Sequence, residues 1–197
     1  MGNWQLAGYI CAMATQVRYP LLTAEEFLEI DFGEHKAELD NGVIRMMAGG
    51  TARHAAVQTN LILALGTRLR GTGCRPYGSD MATRTKDASV RYPDVTVFCG
   101  RDGSKDDEAK AFDDPRVIFE VLSAGTARTD LSVKLPEYKA LRSVDTVVFV
   151  DIATERLHVF QRTATNGWNE QQFDDPVDLP LPALNVTLPH DEIFARD

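Results

Sequence analysis

Val117-Ile118-Phe119-Glu120-Val121-Leu122 is an apolar run of strand length with one carboxylate inside it. Its β-branched and aromatic residues suit a pleated backbone. Continuous rather than alternating hydrophobicity marks a strand covered on both faces. A lone ionised carboxylate there costs several kcal/mol unless it is paired, protonated or bound to a cation. Upstream, Tyr92-Pro93-Asp94 opens a second apolar run, Val95 to Phe98, so two buried strands each carry an acid. Taken singly, each acid reads equally well as a strand residue in an internal ion pair.

Working outward, residues 100–114 are charged and loop-like, and residues 131–141 read as a short helix with Pro136 near its first turn. A further buried strand is expected at residues 146–151, turned by Glu155-Arg156 into residues 157–160. Asn166-Gly167 leads into an edge strand at 168–173, and a proline-rich tail ends in a short helix at 191–195. Toward the N-terminus, residues 74–86 are polar and strand-forming, near a sheet edge. Residues 51–70 form a helix whose Val57, Leu61, Leu65 and Leu69 recur every four residues, with Ile62 widening the stripe. Asn41-Gly42 between residues 35–40 and 43–48 is a strong hairpin signal. Thr23 and Glu26 form a capping box ahead of Phe27, Leu28 and Ile30. The order predicts an α/β (α+β) domain: a central mixed sheet flanked by helices, with an N-terminal hairpin. Residues 1–20 read as an extension without fixed structure and residues 21–197 as a single domain.

Composition agrees with one globular domain: 197 residues, 44% hydrophobic and 25% charged. The stretch from Leu6 to Ala14 is short, interrupted by Gly8 and has no preceding Lys or Arg, which fits neither a secretory signal nor a membrane span. Cys11, Cys74 and Cys99 show no metal-binding spacing, and an odd, sparse set predicts reduced thiols of a cytoplasmic protein. The net charge of −8 counts against nucleic-acid binding, although it leaves room for a local basic groove and includes any metal-binding carboxylates. His54 shares the Val57–Leu61 face and reads first as a packing residue. Its place after Gly49-Gly50, beside Arg53 at a helix start, also permits phosphate contact. Ser123-Ala124-Gly125-Thr126 reads as a turn or an anion nest, and no GxSxG elbow supports Ser123 as a nucleophile.

Tyr92-Pro93-Asp94, a loop, then a strand bearing Glu120 resembles the PD-(D/E)XK nuclease superfamily. More closely, the chain resembles the Uma2 family of restriction-endonuclease-like proteins. The matching segments are Glu38-Leu39-Asp40-Asn41-Gly42-Val43-Ile44, His54, Tyr92-Pro93-Asp94, Glu120-Val121-Leu122-Ser123, and Asp130 through Lys134 to Tyr138, from about Leu22 to Phe160. The resemblance implies a restriction-endonuclease-like core in which Asp94, Glu120 and the Val121 carbonyl hold Mg²⁺ or Mn²⁺. Leu122 stands where the superfamily places its lysine, and Lys134 on the following helix is the residue implied to take over. Without that role, Lys134 is an ordinary i,i+4 partner of Asp130. Glu38 is a candidate further acid or a solvated strand residue, and Tyr138 a packing residue with its hydroxyl near the site.

The implied activity is Mg²⁺-dependent hydrolysis of DNA phosphodiester bonds by a homodimer. A non-catalytic binding or assembly protein retaining the nuclease fold is the rival, favoured by the acidic charge and by Leu122. A small-molecule phosphoesterase using the same metal is the third reading.

Overall fold

The computed structural model describes residues 21–101, 106–123, 130–165 and 167–196. The expected N-terminal extension, Asn166 and most of the Ser123–Thr126 turn lie outside them. Along the chain come α1 (Ala24–Leu28), β1 (Ala37–Asp40), β2 (Val43–Met46), the long helix α2 (Ala52–Leu69), β3 (Cys74–Gly78), β4 (Ala82–Lys86), β5 (Ser89–Arg91), β6 (Val95–Cys99), β7 (Ala111–Phe112) and β8 (Val117–Leu122). A π-helical turn, Asp130–Lys134, runs into α3 (Leu135–Ala140). Then follow β9 (Thr146–Asp151), β10 (Arg156–Arg162), β11 (Trp168–Phe173), β12 (Leu179–Leu181), β13 (Val186–Leu188) and α4 (His190–Ile193).

The run around Glu120 is β8, an interior strand of a six-stranded sheet ordered β11-β10-β9-β8-β6-β3. It pairs antiparallel with β6 and parallel with β9. A parallel neighbour requires a crossover, here made through the π-helical turn and α3. Alternation then sorts the side chains of β8. Val117, Phe119 and Val121 pack with Val57, Leu61, Leu65 and Leu69 of α2. Ile118 points the other way, against Leu135 and Tyr138 of α3 with Val147, Phe149 and Phe160. Glu120 shares the parity of Ile118, so it faces α3.

A second sheet, β2-β1-β5-β4-β7, carries α1 through Phe27, Leu39 and Val90. The capping box forms in full, Thr23 Oγ1 accepting from Glu26 N–H and Glu26 from Thr23 N–H. Asn41 and Gly42 both take positive φ (47° and 81°), as the tight hairpin requires.

Four features go beyond or against these expectations. The strands expected in residues 74–86 are β3 and β4, and they lie in different sheets, because a turn at residues 79–81 sends β4 away from β3. The expected central mixed sheet is the six-stranded one, and beside it stand the five-stranded sheet and the small β12–β13 pair, which lies in the tail read only as proline-rich. The short strands β5 and β7 were not expected at all. Finally, Cys74 and Cys99 are not free thiols: they form a disulfide. The β3–β6 register sets them directly opposite one another, with Cα atoms 3.9 Å apart.

Candidate active site

Asp94 is the residue before β6. The β6–β8 register pairs Val95 with Phe119, and one further step along it sets Asp94 opposite Glu120 on the same side of the sheet. Asp94 is held from three directions. Its Oδ2 accepts the Val121 backbone N–H at 2.7 Å, His54 Nε2 lies 3.3 Å from the same oxygen, and Gln58 Nε2 donates to its backbone carbonyl at 2.8 Å. His54 reaches this position because α2 starts right after Gly49-Gly50. A Cβ on Gly50 would sit 2.9 Å from His54 Nδ1, closer than a side chain there permits. The hydrogen bond to Asp94 raises the His54 pKa above its ordinary value against the opposing effect of burial. The charge of Asp94, the Val121 backbone and the charge of Glu120 add to the rise.

Glu120 is buried, with 3% exposure. Tyr138 on α3 donates its hydroxyl to Glu120 Oε1 at 2.5 Å, and Lys134 Nζ donates to the same oxygen at 3.2 Å. Lys134 also lies 3.1 Å from Glu38 Oε1 and 3.3 Å from Asp130 Oδ1, so three carboxylates share one ammonium. That sharing explains two shifts of the same sign. Burial opposes the charge on Lys134, yet Glu120, Glu38 and Asp130 together raise its pKa. Glu120 is pushed up to about 8, first by burial, which the Lys134 charge opposes and the charges of Asp94, Asp130 and Glu38 reinforce.

Glu38 is not a solvated strand residue; it is 7% exposed. Its Oε1 accepts from Tyr92 N–H at 3.1 Å and from Lys134, while Oε2 lies 3.4 Å from Arg91. Arg91, 2% exposed, makes a two-pronged contact with Glu137 of α3 at 2.8 and 3.0 Å and reaches Asp40 at 3.0 Å. Arg91, Glu137, Gln58 and Asp130 were not singled out as site residues on the sequence. For Gln58 a signal existed, since it lies one helical turn after His54. Asp130 is expected from the sequence only as the i,i+4 partner of Lys134, a pairing the structure contains, and nothing local marks Arg91 or Glu137.

Arg53 turns elsewhere. Its guanidinium binds Glu155 at 2.9 Å and the Phe194 and Ala195 carbonyls at 2.9 and 3.0 Å, so it pins the C-terminal tail. Thus Asp94, Glu120, Lys134, Glu38, Tyr138, His54 and the Val121 backbone form one cluster, and Arg53 lies outside it.

The donor set suits a hard cation. Asp94, Glu120 and the Val121 carbonyl offer oxygen atoms, the donor type that Mg²⁺ and Mn²⁺ prefer. Glu120 is buried with Asp94, Asp130 and Glu38 around it, so a cation there would relieve both its desolvation and the repulsion from its neighbours. Among the described residues no three His, Cys, Asp or Glu side chains gather as a ready-made metal cage. Mg²⁺ does not require one, because it is commonly held by one or two carboxylates and several waters.

The chain has relatives among known proteins. It is 27% identical over 150 residues to the uncharacterized protein sll1609 of Synechocystis sp. (strain ATCC 27184 / PCC 6803 / Kazusa), covering 75% of this chain and 85% of that protein. It is 22% identical over 178 residues to the uncharacterized protein slr1290 of the same strain, covering 89% and 93%. A crystal structure described as a putative nuclease belonging to DUF820, from Anabaena variabilis ATCC 29413, superposes with a TM-score of 0.71 at 20% identity, covering 88% of this chain and 98% of that one. At that identity the superposition establishes the fold, a restriction-endonuclease-like α+β architecture. Among the described residues no helix is long and apolar enough to cross a membrane. The family model described as "Putative restriction endonuclease" matches residues 24–189, and the chain therefore belongs to the Uma2 family.

Proposed function

We propose that this chain is a divalent-metal-dependent endonuclease that hydrolyses DNA phosphodiester bonds and works as a homodimer. One observation carries the reading: the strand register brings Asp94 beside Glu120, and an ammonium from a separate element, Lys134, stands 3.2 Å from Glu120. Asp94, Glu120 and the Val121 carbonyl would hold Mg²⁺ or Mn²⁺. Such an ion, when bound, lowers the pKa of a ligand water and offsets charge on phosphoryl oxygens.

The protein's own groups have separable tasks. The Val121 N–H and His54 fix the direction of the Asp94 carboxylate. Tyr138 and Lys134 fix that of Glu120. Glu38, itself clamped by Arg91 and the Tyr92 N–H, positions the Lys134 ammonium. Lys134 then orients the attacking water and stabilises the charge that develops on the phosphoryl group. The water oxygen bonds to phosphorus, the ester P–O bond breaks, and the leaving oxygen takes up a proton.

Nicking of supercoiled plasmid with Mg²⁺ or Mn²⁺, with Asp94→Ala as control, tests the proposal. Metal-dependent nicking lost in that variant supports it. Binding of the metal with no cleavage of any nucleic acid sinks it and favours the rival, a nuclease fold kept for binding or assembly. That rival draws on Leu122 at the usual lysine position and on the net charge of −8. Turnover of model phosphate esters without nicking points instead to a small-molecule phosphoesterase.

A further inference from the structure

His54, Gln58, Ile62, Gly66 and Arg70 recur every four residues along α2 and its C-cap, and the last four each stand one position after a member of the buried row Val57, Leu61, Leu65 and Leu69. At the near end, His54 and Gln58 touch Asp94. In the middle the row packs beside β3, and glycine on either side lets the two backbones come close: a Cβ on Gly78 would lie 3.4 Å from Ile62 Cδ1 and 3.6 Å from Gln58 Nε2, and one on Gly66 would lie 3.8 Å from Pro76 Cγ. From Ile62 onward the row and β3 line a cavity of about 590 Å³ whose walls include Arg70, Arg75 and Tyr77.

The charge at the far end is unusual for this chain. The net charge is −8, and other arginines beside this helix are committed, Arg53 to Glu155 and Arg68 to Glu192. Among the described residues no acid pairs with Arg70 or Arg75. The Arg75 guanidinium rests over the Tyr77 ring, 5.9 Å from its centre. Unpaired arginines next to an accessible aromatic ring are the chemistry that holds a flexible polyanion with flat bases.

We propose that the α2–β3 groove is the track along which a nucleic-acid strand runs away from the Asp94–Glu120 site, with Arg70 and Arg75 gripping its phosphates and Tyr77 offering a stacking face. The inference rests on the nuclease reading and adds the direction and reach of the substrate. At 1.5 Å per helical residue, the path from His54 to Arg70 is about 24 Å, roughly seven nucleotides at the 3.4 Å spacing of one duplex strand.

The test is cleavage by the full chain with Mg²⁺ of end-labelled single strands of about 20 and about 4 nucleotides, lengths that do and do not span the groove. Wild type is compared with Arg70→Ala/Arg75→Ala and with the charge-preserving Arg70→Lys/Arg75→Lys. In wild type the longer strand is favoured in kcat/KM. In the alanine double variant that advantage falls at least tenfold, chiefly through KM, and the log–log salt slope flattens by about 1.4, the loss of two single-strand phosphate contacts. The lysine variant retains most of both. A double alanine variant with the wild-type length preference and salt slope overturns the groove while leaving the nuclease reading intact. So does a variant whose only change is loss of a dimer in sedimentation, which makes the groove a subunit interface. Failure of wild type to cut either strand while it still nicks plasmid overturns the groove alone; failure on plasmid as well removes the nuclease reading, and the groove proposal with it.

Discussion

Lys134 neutralises three carboxylates and is assigned a catalytic task, so its replacement acts twice. Lys134→Met should lower plasmid cleavage by about a hundredfold, the scale of losing one preorganised charged donor. It should also cost about 3 kcal/mol of stability, because three buried acids lose the cation they share. Urea unfolding beside the cleavage assay separates the two effects. A variant as active as wild type returns Lys134 to a structural ion pair. Tyr138→Phe is milder. It removes the donor 2.5 Å from Glu120 and leaves Lys134 on the same oxygen, and urea midpoints should report a loss of about 1–3 kcal/mol, the scale of a hydrogen bond to a charged group. At this scale the sequence was informative where chemistry contradicted environment. Glu120 inside an apolar run announced itself, and Asp94 followed from the strand ahead of it. Arg91 and Glu137 carried no comparable signal, since each is a charged residue in a short, ordinary segment and its burial comes entirely from elements that meet it in space.

Period decided how well each element could be read. The four-residue stripe of α2 was legible, and Val57, Leu61, Leu65 and Leu69 are all at most 1% exposed. Leu65→Ala should therefore cost about 2–5 kcal/mol, seen as a lowered urea midpoint with unchanged slope. A loss near zero would mean that α2 does not anchor the sheet. The hairpin was legible because Asn41 and Gly42 tolerate positive φ. Strands of two or three residues, β5 and β7, offer no period to read. The partition of β3 and β4 between two sheets depends on a turn that local composition does not distinguish from a continued strand. The Cys74–Cys99 disulfide lies in the same gap, since only the β3–β6 register sets those residues opposite each other.

Among the described residues the two larger sheets are joined through buried charge. Lys134, on the turn leading into α3, pairs with Glu38 of β1, and Arg91 of β5 pairs with Glu137 of α3. These ties cross between the sheets, so the site's geometry depends on their docking. Burial pushes the Glu137 carboxyl up, but the Arg91 hydrogen bonds and charge, the Thr85 hydroxyl and Lys86 outweigh it and leave the pKa lowered. A lowered folded-state pKa gives stability that is present above the unfolded value and is lost as pH falls through the folded one. Glu137→Gln should then destabilise by about 3 kcal/mol at neutral pH. The difference from wild type should shrink below about pH 4.5, where the unfolded carboxyl takes up its proton. Thermal unfolding across that range measures it, and a pH-independent difference would show that Glu137 acts through packing alone. No local pattern in the sequence reveals this docking, because its partners lie in distant segments.

The claim on which the rest depends is that Asp94 and Glu120 grip one cation. Anomalous density from crystals soaked in Mn²⁺ addresses it without reference to any substrate. The account predicts a single strong peak about 2.1 Å from a carboxylate oxygen of each residue. A well-occupied Mn²⁺ bound elsewhere, with Asp94 and Glu120 still held only by His54, Tyr138 and Lys134, would contradict it.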